Sequence, residues 1–212
     1  MYNKDKIEVE KMFVRRENFK QYISYYPVVS TLLAINIVVY LITLIPNIGD
    51  KIFYVGMGFN GLIAQGEWWR IVTAMFLHGG ITHILFNAFS LFVFAPDLER
   101  LIGKGRFITI YFASGIAGNV LTYIIHDYGY ASVGASGAIF GVFGAFAALV
   151  YYTRNNFPQL KQVILPLVII SVIMTFLSSG VNAVAHLGGL ATGFVLGLYF
   201  FNPKNRRKLR AI

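Results

Sequence analysis

"SVGASGAIFG" occupies residues 132–141, where a serine stands among glycines and alanines at the head of a long apolar run. Two readings fit these ten residues. Small residues let two membrane helices approach backbone to backbone, and a nucleophilic hydroxyl needs the same open space around it. The rest of the chain has to choose between them, and it settles the fold class first.

Of the 212 residues, 57% are hydrophobic and only 13% are charged, which is outside the range of ordinary soluble domains. Crossing a ~30 Å hydrocarbon layer takes about 20 apolar residues. Six such runs are present, at 27–46, 81–96, 107–125, 134–153, 163–177 and 181–201. The second and fifth are short, so tilt or local bilayer thinning is expected to help them across. The expected fold class is an all-α polytopic membrane protein, a bundle of six transmembrane helices. The first 24 residues carry charges of both signs, and the first apolar run is too long for a signal-peptide core. No removable signal is therefore expected. The chain has no cysteine, which excludes disulfides, thiolate metal sites and cysteine nucleophiles.

The net charge of +9 is informative through its placement. Lys4, Lys6, Lys11, Arg15, Arg16 and Lys20 precede the first span. Arg100, Lys104 and Arg106 follow the second, Arg154 and Lys161 follow the fourth, and Lys204, Arg206, Arg207, Lys208 and Arg210 follow the sixth. Only Lys51 and Arg70 fall on the other side. The positive-inside rule then places both termini in the cytoplasm, and an even number of spans agrees. The charge thus signals topology and contact with anionic lipid, with no nucleic-acid partner expected. The chain divides into a charged N-terminal segment (1–26), a six-span core (27–201) and a basic tail (202–212).

With that orientation, spans two, four and six begin in the outer part of the membrane. The unusual polar residues sit at those three ends: His78, His83 and Asn87 on the second, Ser136 on the fourth, Asn182 and His186 on the sixth. They can converge on one water-accessible pocket. His83 and Asn87 are four residues apart and share a helix face. His186 falls on the same side as Gly189, Gly193 and Gly197, and span four offers a matching stripe at Gly137, Gly141, Gly144, Ala145 and Ala148. Packing the two stripes together brings Ser136 and His186 to one level.

A serine hydroxyl becomes an effective nucleophile when a base within hydrogen-bond reach takes its proton, and neutral histidine is the usual base. No carboxylate is available to orient that base, because all nine acidic residues lie outside the apolar cores. A Ser136–His186 dyad is the form of serine chemistry this sequence supports. Candidate donors to a developing oxyanion are His83, Asn87 and the Ser136 backbone N–H, helped by the helix dipole of span four. An aspartyl protease needs two carboxylic acids at membrane depth, and a zinc protease needs HExxH. "HGGITH" at 78–83 lacks the glutamate and has the wrong spacing, so no metal is expected.

Taken together, "GASG" (134–137), "HGGITHILFN" (78–87) and "AHLGGLATG" (185–193) resemble the rhomboid family of intramembrane serine proteases. "WWR" (68–70) and "ERLIG" (99–103) fit the same pattern. The resemblance implies that Ser136 is the nucleophile and His186 the general base, with His83, Asn87 and main-chain N–H groups near Ser136 holding the oxyanion. It makes the loop at 47–77 a partly embedded lateral structure whose aromatic residues and Arg70 settle at the interface. It makes span five and the loop at 178–182 the mobile side through which a substrate helix enters. Gly134, Gly137, Gly189, Arg70, Glu99 and Phe140 take supporting, positioning roles. Substrates are expected to be transmembrane proteins, with a small residue before the scissile bond, and no cofactor is implied. The expected location is a bacterial cytoplasmic membrane, with the site opening to the outer side. One departure stands out: position 140 is often tyrosine in bacterial members, and here it is Phe140, which keeps the ring and loses the hydroxyl.

Each feature also has a plainer reading. Ser136 alone suits helix packing; His186 alone suits a packing histidine; His83 and Asn87 suit helix cross-linking. His78 lies about 140° around an ideal helix from His83 and suits a loop anchor. His126 suits a solvated loop. Trp68 and Trp69 suit interfacial anchors, and Arg70 and Glu99 suit loop supports. Two whole-protein alternatives remain: a rhomboid-like protein that binds membrane clients without cutting them, and a metal-binding or transport protein using His78, His83 and His186.

Overall fold

The computed structural model describes residues 12–155 and 157–205. The basic positions Lys4, Lys6, Lys11, Arg206, Arg207, Lys208 and Arg210 lie outside the described residues. The chain enters on a short helix, α1 (Phe19–Tyr25), whose start is a reciprocal capping box. Asn18 accepts the Gln21 N–H, and the Gln21 side chain accepts the Asn18 N–H. Pro27 then opens α2 (Pro27–Thr43) after a bend of 111°, because proline fits the first helical turn but ends whatever precedes it.

The connection to the next span is built from α3 (Ile48–Gly56), a two-residue strand β1 (Gly58–Phe59), α4 (Asn60–Ala64), α5 (Arg70–Thr73) and a 3₁₀ turn at Ala74–Phe76. Four long helices follow in antiparallel sequence, α6 (Ile81–Ile102), α7 (Lys104–Ile125), α8 (Ser136–Thr153) and α9 (Pro158–Leu177), and then α10 (Ala183–Phe201). Strand β2 (Ala131–Ser132) precedes α8 and pairs antiparallel with β1, Gly58 opposite Ser132 and Phe59 opposite Ala131. Helices α6 to α10 are each long and apolar enough to cross a membrane, and α1 with α2 makes a sixth, bent candidate. The expected polytopic six-span bundle is therefore the observed one.

Two span boundaries differ from the sequence reading, which ended the second run at Pro96 and began the fifth at Val163. Helix α6 continues through Pro96 for six more residues, and α9 starts at Pro158, a proline at its first position. At 22 and 20 residues, neither helix is short. The extra turns of α6 carry Asp97 and Glu99, which are buried because each has partners distant in sequence. Glu99 accepts the Val28 and Val29 N–H groups at 3.1 and 2.9 Å, capping the otherwise unpartnered start of α2. Asp97 accepts the Phe13 N–H at 2.8 Å and pairs with Arg15.

Helix α8 is the axis of the bundle, with 72% of its apolar window buried. It meets α10 through the small-residue stripes. A Cβ on Gly189 would overlap the Gly137 carbonyl, and one on Gly193 would overlap the Gly141 carbonyl. Backbones can approach this closely only where both faces lack side chains. Helix α9 is the opposite case: 17% of its window is buried, and its buried side chains are Leu160, Ile164 and one polar residue, Thr175.

Candidate active site

Ser136 is the first residue of α8 and half-buried, and among the described residues no side chain caps that helix. Its leading N–H groups therefore point toward the loop side with no intrahelical acceptor, an arrangement that favours negative charge. The approach to the helix is made by Gly134 at φ 127°, a conformation that favours glycine. The same glycine leaves a gap. A Cβ there would lie 2.7 Å from His83 Nε2 and 3.7 Å from Ser136 Oγ, so the ring nitrogen and the hydroxyl border one small space. The Gly134 N–H donates to the Ala74 carbonyl at 2.8 Å, and the β1–β2 pair holds the preceding residues against the 47–77 connection.

His186 lies in the first turn of α10 and is buried. Its ring stacks on Phe140, with centroids 4.0 Å apart and planes at 19°. Ser136 and Phe140 are four residues apart on one helix face, so the stack sets His186 against the face that carries Ser136. His186 Nδ1 is 2.8 Å from Thr175 Oγ1 on α9. Asn182 caps α10 by accepting the Ala185 N–H, and its amide donates to Thr122 Oγ1 at 2.9 Å. Among the described residues Ser136 Oγ makes no hydrogen bond, and catalytic contacts are often open before substrate arrives.

His83 stands in the first turn of α6, half-buried. The Gly79 N–H donates to its Nδ1 at 3.4 Å, which leaves Nε2 as the protonated nitrogen of a neutral ring. That N–H is the one beside the Gly134 gap. Asn87, one turn on, is buried, and its amide donates to the His83 carbonyl at 3.0 Å. One amide hydrogen is thereby engaged within α6 and a second remains. His78 is buried and meets His83 edge to face, with ring centroids 5.1 Å apart.

Three other expectations resolve plainly. Arg70, expected at the interface, is 1% exposed. Its guanidinium donates to the Tyr54 and Met57 carbonyls at 2.6 and 2.8 Å and to Glu67 at 2.7 Å. The fork of N–H donors lets one side chain tie three points of the connection together, so burial is compensated and the loop is pinned. Glu99 is a helix cap at the far end of α6, away from Ser136. His126 is not freely solvated: it stacks on Tyr130 at 3.9 Å, and its Nδ1 lies 3.3 Å from the Thr122 carbonyl. The sequence reading overlooked Thr175, Gly79 and Asn60, whose side chain donates to the Asp127 carbonyl at 3.0 Å and so fastens the connection to the end of α7. For Thr175 a signal existed, a pair of hydroxyls one turn apart, Ser171 and Thr175, in a span that is apolar at its other positions from 163 to 177.

Comparison with known proteins identifies the family. A rhomboid domain family model matches residues 65–203. YdcA of Bacillus subtilis, provisionally named a rhomboid protease, is 43% identical over 198 residues, 92% of this chain and all of its own length. Rhomboid protease GluP of the same organism is 39% identical over 72% of this chain and 31% of its own length. Rhomboid-type serine protease 2 of Emericella nidulans is 36% identical over 69% of this chain and 30% of its own. The chain thus spans YdcA entirely and about a third of the other two.

Proposed function

The chain belongs to the rhomboid family, and from that premise we propose that it is an intramembrane serine endopeptidase working through a Ser136–His186 dyad. The observation that carries the reading is the stack of His186 on Phe140, which sets an imidazole against the helix face that begins with Ser136. Ser136 Oγ attacks the scissile carbonyl and passes its proton to His186 Nε2. The tetrahedral oxyanion takes hydrogen bonds from His83 Nε2–H, the Asn87 amide and the Ser136 backbone N–H. His186 then protonates the leaving amine, and the C–N bond breaks. Water, deprotonated by the same imidazole, hydrolyses the acyl-enzyme and restores Ser136.

Phe140 holds the imidazole plane from behind without a hydroxyl of its own. Gly134 keeps open the space between nucleophile and His83, while Gly137 and Gly189 let α8 and α10 close on each other. Arg70 and Glu99 brace the 47–77 connection and the start of α2. The substrates are single-span or multi-span membrane proteins cut in or near a transmembrane segment, with lipid as the surrounding partner. Purified protein should cleave members of a panel of single-span model substrates, and Ser136→Ala should cleave none. Uncut substrates with intact, well-folded enzyme would instead support a client-binding protein.

The membrane is a bacterial cytoplasmic membrane, with both termini inside and the Ser136 pocket opening outward. The 16 basic residues on one side support that orientation. Single cysteines at Tyr130 and Ser179 should react with an impermeant thiol reagent on intact cells, and one at Asn205 should not. The native chain has no cysteine, so the background is clean. Labelling at Asn205 without labelling at Tyr130 would invert the orientation.

A further inference from the structure

A histidine base needs its proton on the right nitrogen, and in many enzymes a carboxylate fixes that choice. Among the described residues no carboxylate reaches His186, yet its Nδ1 is engaged. Thr175 Oγ1 lies 2.8 Å from it, and both residues are buried. The threonine hydroxyl also lies 2.9 Å from the Ser171 carbonyl, one turn back in α9, with the geometry of a donated hydrogen bond. A hydroxyl has one hydrogen to donate and two lone pairs to accept with. With that hydrogen given to Ser171, Oγ1 is left as an acceptor, and the contact with His186 requires Nδ1–H as donor. The neutral ring then carries its free lone pair on Nε2.

We propose that Thr175 is a positioning residue that fixes His186 in the Nδ1–H tautomer, and so makes Nε2 the proton acceptor. The inference rests on the Ser136–His186 reading given above. It assigns a reason for the one buried hydroxyl in a span that otherwise faces outward. Helix α9 buries least of the five long helices, yet this residue points into the bundle and completes a chain of hydrogen bonds, His186 to Thr175 to Ser171. The chain does for the base what a carboxylate does elsewhere, without a charge at membrane depth, where a charge is expensive. Because the acceptor belongs to α9 while His186 belongs to α10, the tautomer also depends on α9 being seated. Displacement of α9 leaves Nδ1–H without its partner.

The test uses the full chain in lipid nanodiscs with ¹⁵N-labelled histidine, the His186 signals being assigned by their loss in His186→Gln. The wild type should show a protonated nitrogen at Nδ1 and an unprotonated one at Nε2 in the neutral ring. Thr175→Val, which keeps shape and removes the hydroxyl, should shift the population toward Nε2–H. It should also lower kcat about tenfold, a fraction of what a general base contributes, with KM within about twofold. Thr175→Ser, which restores the acceptor, should recover the wild-type tautomer and most of the rate. An Nε2–H ring in the wild type, or a Thr175→Val protein with unchanged tautomer and kcat, overturns the assignment. If Thr175→Ser fails to rescue either readout, the hydroxyl is not the acting group. The dyad itself fails on a different result, Ser136 labelling by a fluorophosphonate in the wild type that survives His186→Ala.

Discussion

Helices α8 and α9 run side by side and are built on opposite plans. Helix α8 is buried along most of its length and meets α10 at glycines, with carbonyl oxygens where a side chain would stand. Helix α9 exposes Ile169, Ile170, Ile173 and Phe176 by about half or more and buries one hydroxyl, that of Thr175. The first contributes the proposed nucleophile, and the second contributes the partner of the proposed base. In lipid there is little hydrophobic gain in bringing two helices together, so α8 and α10 rely on close van der Waals contact between backbones. Distance between Ser136 and His186 and the plane of the imidazole are thus set by the rigid pair, and the partner of Nδ1 comes from the loosely held neighbour.

The largest effect should come from filling the rigid contact. Gly193→Ala places a methyl on the Gly141 carbonyl, and neither backbone can yield without separating α8 from α10. Overpacking of this kind costs about 1–3 kcal/mol even where side chains can adjust, and here they cannot. Thermal unfolding in detergent should show a drop in Tm of many degrees, with loss of cleavage. A Gly193→Ala protein of wild-type Tm would break the comparison at its rigid end.

A middle-sized effect is expected at Asn87, which lies on α6 and belongs to neither stripe. An oxyanion donor helps the transition state more than the bound substrate, so Asn87→Ala should lower kcat at least about tenfold with KM nearly unchanged. Losing one such donor can cost about 10²–10³, but His83 and backbone N–H groups share the charge here. The side chain also donates to the His83 carbonyl, so stability has to be measured on the same preparation. Parallel loss of Tm and activity would make Asn87 a packing residue. The smallest effect belongs to the outward face of α9. Ile173→Ala removes a side chain that is 49% exposed and should leave Tm and kcat within error; a large loss would mean that α9 packs more tightly than its burial indicates.

Much of this was legible in the sequence because it is local or periodic. The apolar runs gave the spans, and the Gly137/Gly141 and Gly189/Gly193 spacing gave the contact that sets α8 on α10. What escaped depended on partners far away in the chain. Charges at Asp97 and Glu99 read as the end of a span, yet they continue α6 because Arg15, the Phe13 N–H and the start of α2 satisfy them. Arg70 read as an interfacial cation because the carbonyls of Tyr54 and Met57 cannot be seen as acceptors until the connection is folded. Thr175 went unnoticed, since nothing in its neighbourhood announces His186. The β1–β2 pair, two residues a side, is too short for any alternation to appear.

The central claim is that Ser136 is activated by His186, and covalent labelling tests it most directly. A fluorophosphonate or isocoumarin probe reports an activated serine instead of a merely accessible one. On the purified protein, mass spectrometry should place the adduct on Ser136, and His186→Ala of wild-type fold should label at a small fraction of that rate. An adduct on another residue, or equal labelling of Ser136 in His186→Ala, would contradict the account.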